Sequence, residues 1–463
     1  MKKLRILVFI EVDIVIRHFI DSHAFDDLAA KHEVIFVFPE AGNKRLGNLD
    51  PARMPLPAPY VRLPHHAERT RLWKQLFQVD QLRLRLGKKA AALRRLRRFT
   101  LGWKASMLYA ALGLPGIWEV FRASRLRQLA GMSNTEMESL FDAEKPDLVV
   151  HPCVLEGLYL NDLVEITQKR GVPLTVIMNS WDNPSTKRAM VGNPDWLLVW
   201  GKQTQRHAVD MAKIPVERVI CFGAAQFEVY RQQPRIDRAE FCRRNGVDPG
   251  RRILLYAGSS KGTDEIAHLT LLDRAVAQGS LDNAVILYRP HPWGNGGKGG
   301  EKLLEQPWQH VFIESSMRGY LEDVRAGKTS KYMADYRDTH DVLSHVDAVV
   351  SPLSTILLEA AMHSKPILCF LPSEDKSGHF TSDAGLTHFH DMFRMKEILM
   401  AAGYDSLLPQ CQALLKLCDD PDALRGLQMA VNYFVEPYAE PYDRRLTAFL
   451  EGTVTNLAKR ESP

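Results

Sequence analysis

Short apolar runs rich in β-branched residues alternate with helical patterns along most of the chain, and this alternation restricts the possible folds more than any other feature. The first run covers residues 4–10, a helical pattern covers 23–30, and a second run covers 32–38. Continuous apolar runs of this length are typical of strands buried on both faces, as in parallel sheets. The alternation therefore predicts an α/β protein with mainly parallel strands.

The pattern restarts in the second half of the chain. Further strands of the first half are predicted at residues 147–150, 173–178, 196–200 and 218–222. After a polar stretch, the second half has predicted strands at residues 253–257, 284–288, 311–314, 348–350 and 367–370. We predict two Rossmann-like doubly wound domains that face a cleft. The N-terminal domain spans residues 1–228, the C-terminal domain spans 229–440, and a helix in 441–463 packs back on the N-terminal domain.

Composition excludes several other classes of protein. Of 463 residues, 45% are apolar and 25% charged, which is ordinary for a globular chain and excludes a disordered or collagen-like one. Six scattered cysteines without a CxxC pair indicate reduced thiols in a cytoplasmic protein and no zinc site. Glu11 and Asp13 end the first apolar run, which is shorter than the roughly 20 residues of a membrane-spanning helix and than a signal-peptide core.

Positive charge is concentrated in residues 61–130. This segment has 16 Lys or Arg and three acids, a surplus of 13 in a chain whose net charge is +5. Leucines recur every three or four residues over 71–98, which predicts a helix that Gly87 weakens. One interpretation is a basic helical insertion that lies on anionic lipid, with Trp73, Phe77, Trp103 and Tyr109 nearby. The alternative is a solvated face whose leucines pack on the domain.

Polar side chains follow three strands of the second half, and parallel strands bring their carboxyl ends to one edge. The candidates for binding a nucleotide and its phosphates are Ser259, Ser260, Lys261, Arg289, His291, Ser354, Thr355 and Glu359. The lysine and arginine supply positive charge, the histidine donates a hydrogen bond, and the hydroxyls lie at a helix start that favours anions. The acid accepts hydrogen bonds from ribose. Each residue also has an ordinary explanation as a helix cap, strand end or turn.

The tract at residues 256–370 resembles a known family. Its "YRPHP" and "SPLSTILLEAAMHSKPILCF" are similar to the nucleotide-binding domain of GT-B glycosyltransferases, in the branch of CDP-glycerol glycerophosphotransferases and bacterial sialyl- and Kdo-transferases. By this resemblance His291 belongs to the HP motif, Ser354 and Thr355 to the phosphate motif, and Glu359 matches the ribose-contacting acid. The tract also resembles UDP-GlcNAc 2-epimerases. In the first half, only "NSWDNPSTKRAM", "VWGKQTQRHAV" and "FGAAQFEVY" resemble surface-carbohydrate proteins of this type.

The resemblance implies a transferase that needs no metal and has no permanently bound cofactor. It would move a glycosyl or polyol-phosphate group from a CMP-, CDP- or UDP-linked donor to a cell-envelope glycan or lipid-linked acceptor, as in capsule, lipopolysaccharide or teichoic-acid synthesis. A general base is expected in the first domain, and the candidates are Asp182, Glu156 and His18. Alternatively, Asp182 holds a turn, Glu156 caps a helix, and backbone groups satisfy His18.

Three classes of function stay open at this stage: the transferase, an isomerase of the epimerase kind, and a nucleotide-binding scaffold without catalysis. The expected partners are the nucleotide-linked donor, the acceptor and an anionic membrane surface that residues 61–130 contact. Nucleic acid is not expected, because no recognised binding module surrounds the basic segment. The expected location is cytoplasmic and peripheral, at the cytoplasmic face of the inner membrane.

Overall fold

The computed structural model describes residues 3–47, 49–83, 102–186, 191–259, 263–281, 283–328, 334–374 and 386–461, with backbone alone for 81–83 and 456–461. The chain divides into two units. The N-terminal unit comprises Met1–Glu228 and Tyr433–Pro463, and the C-terminal unit comprises Val229–Asn432. The chain rejoins the N-terminal unit before residue 441, because the Glu436 N–H donates to the Trp200 carbonyl and the Tyr438 hydroxyl donates to the Cys221 carbonyl.

The N-terminal unit is built on a seven-stranded sheet in the order β3-β2-β1-β4-β5-β6-β7, in which every neighbouring pair is parallel. The strands are β1 (Arg5–Phe9), β2 (Glu33–Pro39), β3 (Tyr60–Leu63), β4 (Leu148–Cys153), β5 (Leu174–Met178), β6 (Trp196–Val199) and β7 (Val219–Cys221). The central strands β4 and β5 are buried throughout, and β1 is buried except at Arg5, as continuous apolar runs require. The predicted parallel α/β class is therefore confirmed for this unit.

Helices cover the N-terminal sheet. They are α1 (Asp13–Val15), α2 (Asp26–Lys31), α3 (Ala67–Arg83), α4 (Trp103–Leu112), α5 (Ile117–Ala130), α6 (Thr135–Glu144), α7 (Leu160–Arg170), α8 (Asn183–Thr186) and α9 (Lys202–Ala212), with a π-helix at Ile16–Ile20. The last helix of the chain, Tyr442–Glu461, also belongs here. Its Leu446 and Leu450 are fully buried against the apolar residues of β1 and β2. Hydrophobic burial thus holds the C-terminal helix on this unit.

The C-terminal unit has a second, six-stranded sheet in the order β10-β9-β8-β11-β12-β13, and its neighbouring strands are again parallel. The strands are β8 (Arg252–Ala257), β9 (Ala284–Arg289), β10 (Val311–Ile313), β11 (Ala348–Ser351), β12 (Ile367–Phe370) and β13 (Ile398–Ala401). The helices that follow in the chain are α10 (Arg238–Asn245), α11 (Glu265–Ala277), α12 (Arg318–Arg325), α13 (Tyr336–His345), α14 (Ile356–Met362), α15 (Thr387–Met392), α16 (Tyr404–Leu417) and α17 (Pro421–Val431). This doubly wound order confirms the predicted fold class for the second unit.

Helix α3 shows how the basic segment joins the N-terminal unit. Its Leu72 and Leu76 are fully buried, and Trp73 and Phe77 are less than a tenth exposed. Leu72, Trp73 and Leu76 pack with Trp118 and other apolar residues of α5. Of the aromatic residues expected near lipid, Trp73 and Phe77 therefore face a protein core, because burying a large apolar side chain stabilises the fold by about 2 kcal/mol. The rest of the predicted helix, residues 84–98 with Gly87, lies outside the described residues.

A buried polar network fixes the start of α3. The Arg69 guanidinium binds the Asp162 carboxylate of α7, with Nε 3.0 Å from Oδ1. The Trp73 indole N–H and the Asn134 amide also donate to Asp162, at 2.6 and 2.8 Å. Breaking such a buried pair destabilises a protein by several kcal/mol, so the network anchors the insertion to α7.

Among the described helices, none is both long and apolar enough to cross a membrane.

Candidate functional site

The carboxyl ends of three adjacent strands bring the predicted nucleotide-binding residues to one edge of the C-terminal sheet. β8 lies between β9 and β11, and the register pairs Ala257 with Arg289 and Tyr256 with Val350. His291 follows β9, and Ser354 follows β11. Because neighbouring strands are roughly 4.8 Å apart, the two loops begin about 10 Å from each other on the same side. That spacing suits groups that contact one diphosphate.

His291 has its ring orientation set by the chain that follows it. The Trp293 backbone N–H donates to His291 Nδ1 at 3.1 Å, so the neutral ring carries its proton on Nε2. The indole of Trp293 packs edge-on to the imidazole, with ring centres 5.9 Å apart. The imidazole is half-buried. In this tautomer Nε2 is the ring nitrogen that donates a hydrogen bond, the kind of bond that a phosphate oxygen accepts.

The five-glycine segment of residues 293–300 packs against the loop after β8. A Cβ on Gly294 would lie 2.2 Å from the Ser259 carbonyl oxygen, and a Cβ on Gly297, whose φ is +76°, would lie 2.4 Å from the Thr263 carbonyl. The Lys298 N–H donates to that same Thr263 oxygen at 2.7 Å. Glycine is needed at both positions because the two backbones touch. The loops after β8 and β9 thus support each other.

The loop after β8 is tied to the buried Glu265 on α11. Its carboxylate accepts the Ser259 N–H at 2.9 Å and the Tyr288 hydroxyl. Burial and this carboxylate raise the pKa of Tyr288 well above its usual value, so the phenol stays a donor. The Ser259 hydroxyl bonds to Thr263, which occupies it within the loop. Ser260 and Lys261 lie outside the described residues.

Arg289 is engaged inside the unit. Its guanidinium forms a buried ion pair with Glu314, which follows β10, and donates to Ser316 at 3.1 Å and to Thr339 at 3.2 Å. Both members of the pair are at least nine-tenths buried. Its charge is therefore balanced by Glu314, and Arg289 links β9, β10 and α13. Phosphate binding by Arg289 stays a prediction, and it would require a guanidinium that is already paired with Glu314 to contact the phosphate as well.

Ser354 and Thr355 precede the seven-residue helix α14, and both are half-buried. Thr355 has helical backbone angles, and its side chain makes no capping hydrogen bond. The alternative explanation of Thr355 as a side-chain cap therefore does not describe this helix. Ser351, which ends β11 shortly before Ser354, has a buried hydroxyl with no hydrogen-bond partner among the described residues. Buried polar atoms of this kind usually bind water or a ligand.

Glu359 is held by an aromatic cluster. The Tyr230 hydroxyl donates to its carboxylate at 2.5 Å, and its carbonyl oxygen lies 2.7 Å from His363 Nδ1. The Tyr230 ring packs on both His363 and His340, with ring centres 4.5 and 5.5 Å apart. Burial lowers the pKa of His363 to about 4, so this ring is neutral at neutral pH. The cluster fixes the carboxylate that is predicted to contact ribose.

The three candidate bases all belong to the N-terminal unit and follow β1, β4 and β5, which are neighbours in its sheet. His18 lies on the π-helix, a geometry that often occurs at functional sites. Its Nδ1 is 3.2 Å from the Asn179 carbonyl, which follows β5. Burial and the neighbouring Arg17 lower the pKa of His18 to about 3. His18 is therefore neutral but a weak base.

Asp182 and Glu156 differ in what holds their carboxylates. Asp182 accepts hydrogen bonds from the Thr186 hydroxyl at 2.9 Å and the Asn183 amide at 3.2 Å, which makes it part of the α8 turn as the alternative explanation had it. Glu156 is half-buried, and within the described part of the chain no hydrogen bond holds its carboxylate. Of the two acids, Glu156 has more freedom to accept a proton from a ligand.

Glu11 positions the segment that carries Glu156, and the sequence reasoning missed this role. Its fully buried carboxylate accepts the backbone N–H groups of Leu158 at 2.6 Å and Tyr159 at 3.2 Å. A Cβ on Gly157 would lie 1.4 Å from one of its oxygens. The available signal was an acid directly after the first strand. Without the tertiary structure, the sequence indicates only that Glu11 ends the first apolar run.

Further buried polar atoms line the carboxyl edge of the N-terminal sheet. Asn179 Oδ1, Trp200 Nε1 and both amide atoms of Gln226 have no hydrogen-bond partner among the described residues. They follow β5, β6 and β7 respectively. No group of three or more His, Cys, Asp or Glu in the described ranges is arranged to hold a metal ion. The edge therefore offers amide and indole groups, which suit a hydroxyl-rich ligand.

Comparison with protein-family models and with curated proteins finds no match for the sequence. Comparison of the structure finds a protein from Listeria monocytogenes described as a UDP-N-acetylglucosamine 2-epimerase, with a TM-score of 0.55, 11% identity, and 98% of this chain and 97% of that chain covered. Weaker matches include the wall teichoic acid polymerase TagF, with a TM-score of 0.49, 11% identity, and 97% and 89% covered. Another is the glycotransferase of kitacinnamycin, at 0.47 and 12%, with 98% and 99% covered. The chain has the two-unit α/β fold of GT-B-type enzymes.

Proposed function

We propose that this chain is a transferase that moves a glycosyl or polyol-phosphate group from a nucleotide-activated donor to a cell-envelope glycan or lipid-linked acceptor. The observation that carries the proposal is the shared edge of β9, β8 and β11. There His291 presents a donor nitrogen and Glu359 is fixed by Tyr230. A phosphate oxygen can accept a hydrogen bond from the imidazole, and a ribose hydroxyl can donate one to the carboxylate.

The proposed reaction divides its tasks between the two units. In the C-terminal unit, His291 Nε2–H and the hydroxyls of Ser354 and Thr355 donate to the phosphate as it gains negative charge, and Glu359 accepts from ribose. In the N-terminal unit, a base takes the proton of the acceptor hydroxyl. The acceptor oxygen forms the new bond, the bond to the nucleotide phosphate breaks, and its electron pair leaves with the nucleotide.

Glu156 is the base that we favour. A general base works best with a pKa near the working pH, and the pKa of His18 is about 3. Asp182 is engaged with Thr186 and Asn183. The carboxylate of Glu156 has no such partner in the described ranges, and Glu11 fixes the loop behind it. We keep the expectation that the reaction needs no metal, since positively charged and neutral hydrogen-bond donors can stabilise the negative charge of the departing phosphate.

The test begins with binding of CMP, CDP, UDP and GDP, measured as a shift in thermal unfolding. We expect one of them to stabilise the protein. His291→Ala should then weaken that nucleotide about tenfold or more in calorimetry, because it removes a hydrogen bond to a charged group. Glu359→Ala should have a similar effect. His310→Ala is the matched control, since this half-buried histidine precedes β10 at the opposite edge of the same sheet. Unchanged affinity in both site variants would refute the assignment.

A sugar-nucleotide epimerase is the second candidate. The specific observation in its favour is the structural likeness to the protein from Listeria monocytogenes that is described as such an enzyme. Incubation with UDP-N-acetylglucosamine and analysis of the released sugar distinguishes the two. Epimerised sugar without an added acceptor would favour the isomerase, whereas product that forms only with a glycan acceptor would favour the transferase. Nucleotide binding without either product would favour a non-catalytic scaffold.

A further inference from the structure

Two consecutive helices of the N-terminal unit expose large apolar side chains in one short stretch. Twelve large hydrophobic residues are exposed in the described parts of the chain, and half of them lie between residues 103 and 120. We name these six the apolar lip: Trp103, Met107, Leu108, Leu114, Ile117 and Val120, which are 48–72% exposed. They belong to α4, to the turn after it and to α5. Large apolar side chains that are exposed together in one short stretch, rather than singly over the surface, point to an interaction site.

The lip is the outer face of helices whose inner face is already packed. Trp118 and Leu129 of α5 are buried against Leu72 and Leu76 of α3, and Tyr109 and Leu112 of α4 lie partly buried beside them. The Arg69–Asp162 network anchors α3 in turn. The exposed residues are therefore not the inward face of a loose helix. They form a second apolar face that the other described residues of the unit leave exposed.

The helices that carry the lip also carry positive charge. Lys104 and Arg122 are exposed on α4 and α5, and Arg125 packs over the ring of Phe121 at 5.2 Å. Glu119 is the single acid in residues 102–130, and its carboxylate accepts the Gly116 N–H at 2.5 Å. The preceding residues 84–101 add seven Lys or Arg and no acid to the sequence. An apolar face bordered by cations complements a surface with an apolar interior and an anionic rim.

We propose that the apolar lip inserts into the headgroup region of an anionic lipid bilayer, while the surrounding lysines and arginines bind lipid phosphates. A second copy of this chain is a poorer occupant, because a symmetric contact would bring two surfaces with the same surplus of positive charge together. Of the four aromatic residues that the sequence placed near lipid, the proposal keeps only Trp103, because Trp73 and Phe77 are buried and Tyr109 is partly buried. It does not depend on the transferase reaction.

The experiment uses the full chain and sedimentation with vesicles. Vesicles of phosphatidylcholine with about one third phosphatidylglycerol should bind the protein, and phosphatidylcholine alone should bind it at least about tenfold less. The double variant Met107→Glu with Val120→Glu should lower binding to the anionic vesicles about tenfold or more. Its matched control is Val216→Glu with Met429→Glu, at residues that are 57% and 74% exposed outside the lip. The control should bind like the wild type.

A second measurement needs no charged substitution. Lipids brominated near the headgroup quench only nearby tryptophans, so they should quench the wild type more than Trp103→Phe. Equal quenching, no binding to anionic vesicles, or undiminished binding of the lip variant would overturn the proposal. So would a dimer in light scattering that the lip variant abolishes, since this would assign the lip to a second copy. Nucleotide binding should be unchanged in the lip variant, so failure here is distinct from failure of the proposed function.

Discussion

The stability of the N-terminal unit should fall between pH 7 and pH 5 because of His18. Burial and Arg17 lower the pKa of this histidine from 6.5 to about 3. Below pH 6.5 the unfolded chain binds a proton at His18, whereas the folded chain does not until about pH 3. Stability is therefore lost as the pH falls through this window. At 1.36 kcal/mol per pH unit, His18 alone removes about 2 kcal/mol of the free energy of unfolding between pH 7 and pH 5.

The variant His18→Asn isolates this contribution. Asparagine keeps an N–H that can donate to the Asn179 carbonyl, but it does not titrate. The pH-dependent loss of unfolding free energy should be smaller in the variant by about 2 kcal/mol. Urea unfolding followed by tryptophan fluorescence measures it, because six of the eight tryptophans lie in the N-terminal unit.

His23→Asn is the matched control for this experiment. His23 is close in sequence, its side chain is 74% exposed, and its φ of 60° is one that asparagine tolerates. Its replacement should leave the pH dependence of unfolding as in the wild type. If His18→Asn also kept the wild-type pH dependence, the fold would not be holding His18 neutral. The argument that His18 is too weak a base to be the catalytic one would then fail.

Two further predictions concern the C-terminal unit. Glu314→Ala leaves the buried Arg289 without its counter-charge and should destabilise the unit by about 3–5 kcal/mol in thermal unfolding, whereas the exposed Glu301→Ala should have little effect. A Glu314→Ala protein as stable as the wild type would show that the ion pair does not hold this edge. Gly294→Ala would place a Cβ 2.2 Å from the Ser259 carbonyl and push the two loops apart, so nucleotide affinity in calorimetry should drop severalfold. Gly319→Ala, where a Cβ meets no atom within 4 Å, should retain wild-type affinity, and equal affinities in the two variants would contradict the proposed loop support.

Burial explains which strands were predictable. The central strands of both sheets are apolar on both faces, so their sequences are continuous apolar runs that need no knowledge of their neighbours. Of the four edge strands, β7 and β10 were predicted, and β3 and β13 were missed. Three of the four residues of β3 are only partly buried, and Met400 of β13 is 38% exposed. An edge strand has one paired side and mixed polarity, which resembles a loop in sequence.

The position of the candidate nucleotide site followed from the same logic. His291, Ser354 and Thr355 come directly after predicted parallel strands, and any such sheet brings these residues to one edge. The partners of the charged residues did not follow. Arg289 and Glu314 are 25 positions apart, and nothing in either neighbourhood indicates that both are buried. A buried charge is stable only with its partner, so its role depends on which elements are adjacent.

The sequence by itself determined the α/β class and the edge of the sheet that carries the residues predicted to bind phosphate, because buried strands and their succession along the chain appear as local apolar runs. The tertiary structure decided how the acids are used: Glu265 and Glu11 bind backbone N–H groups of loops from within the core, and Asp182 closes a turn. It also decided that Trp73 is buried and Trp103 exposed. Both are aromatic residues in one basic segment, and only the packing of α3 against α5 distinguishes them.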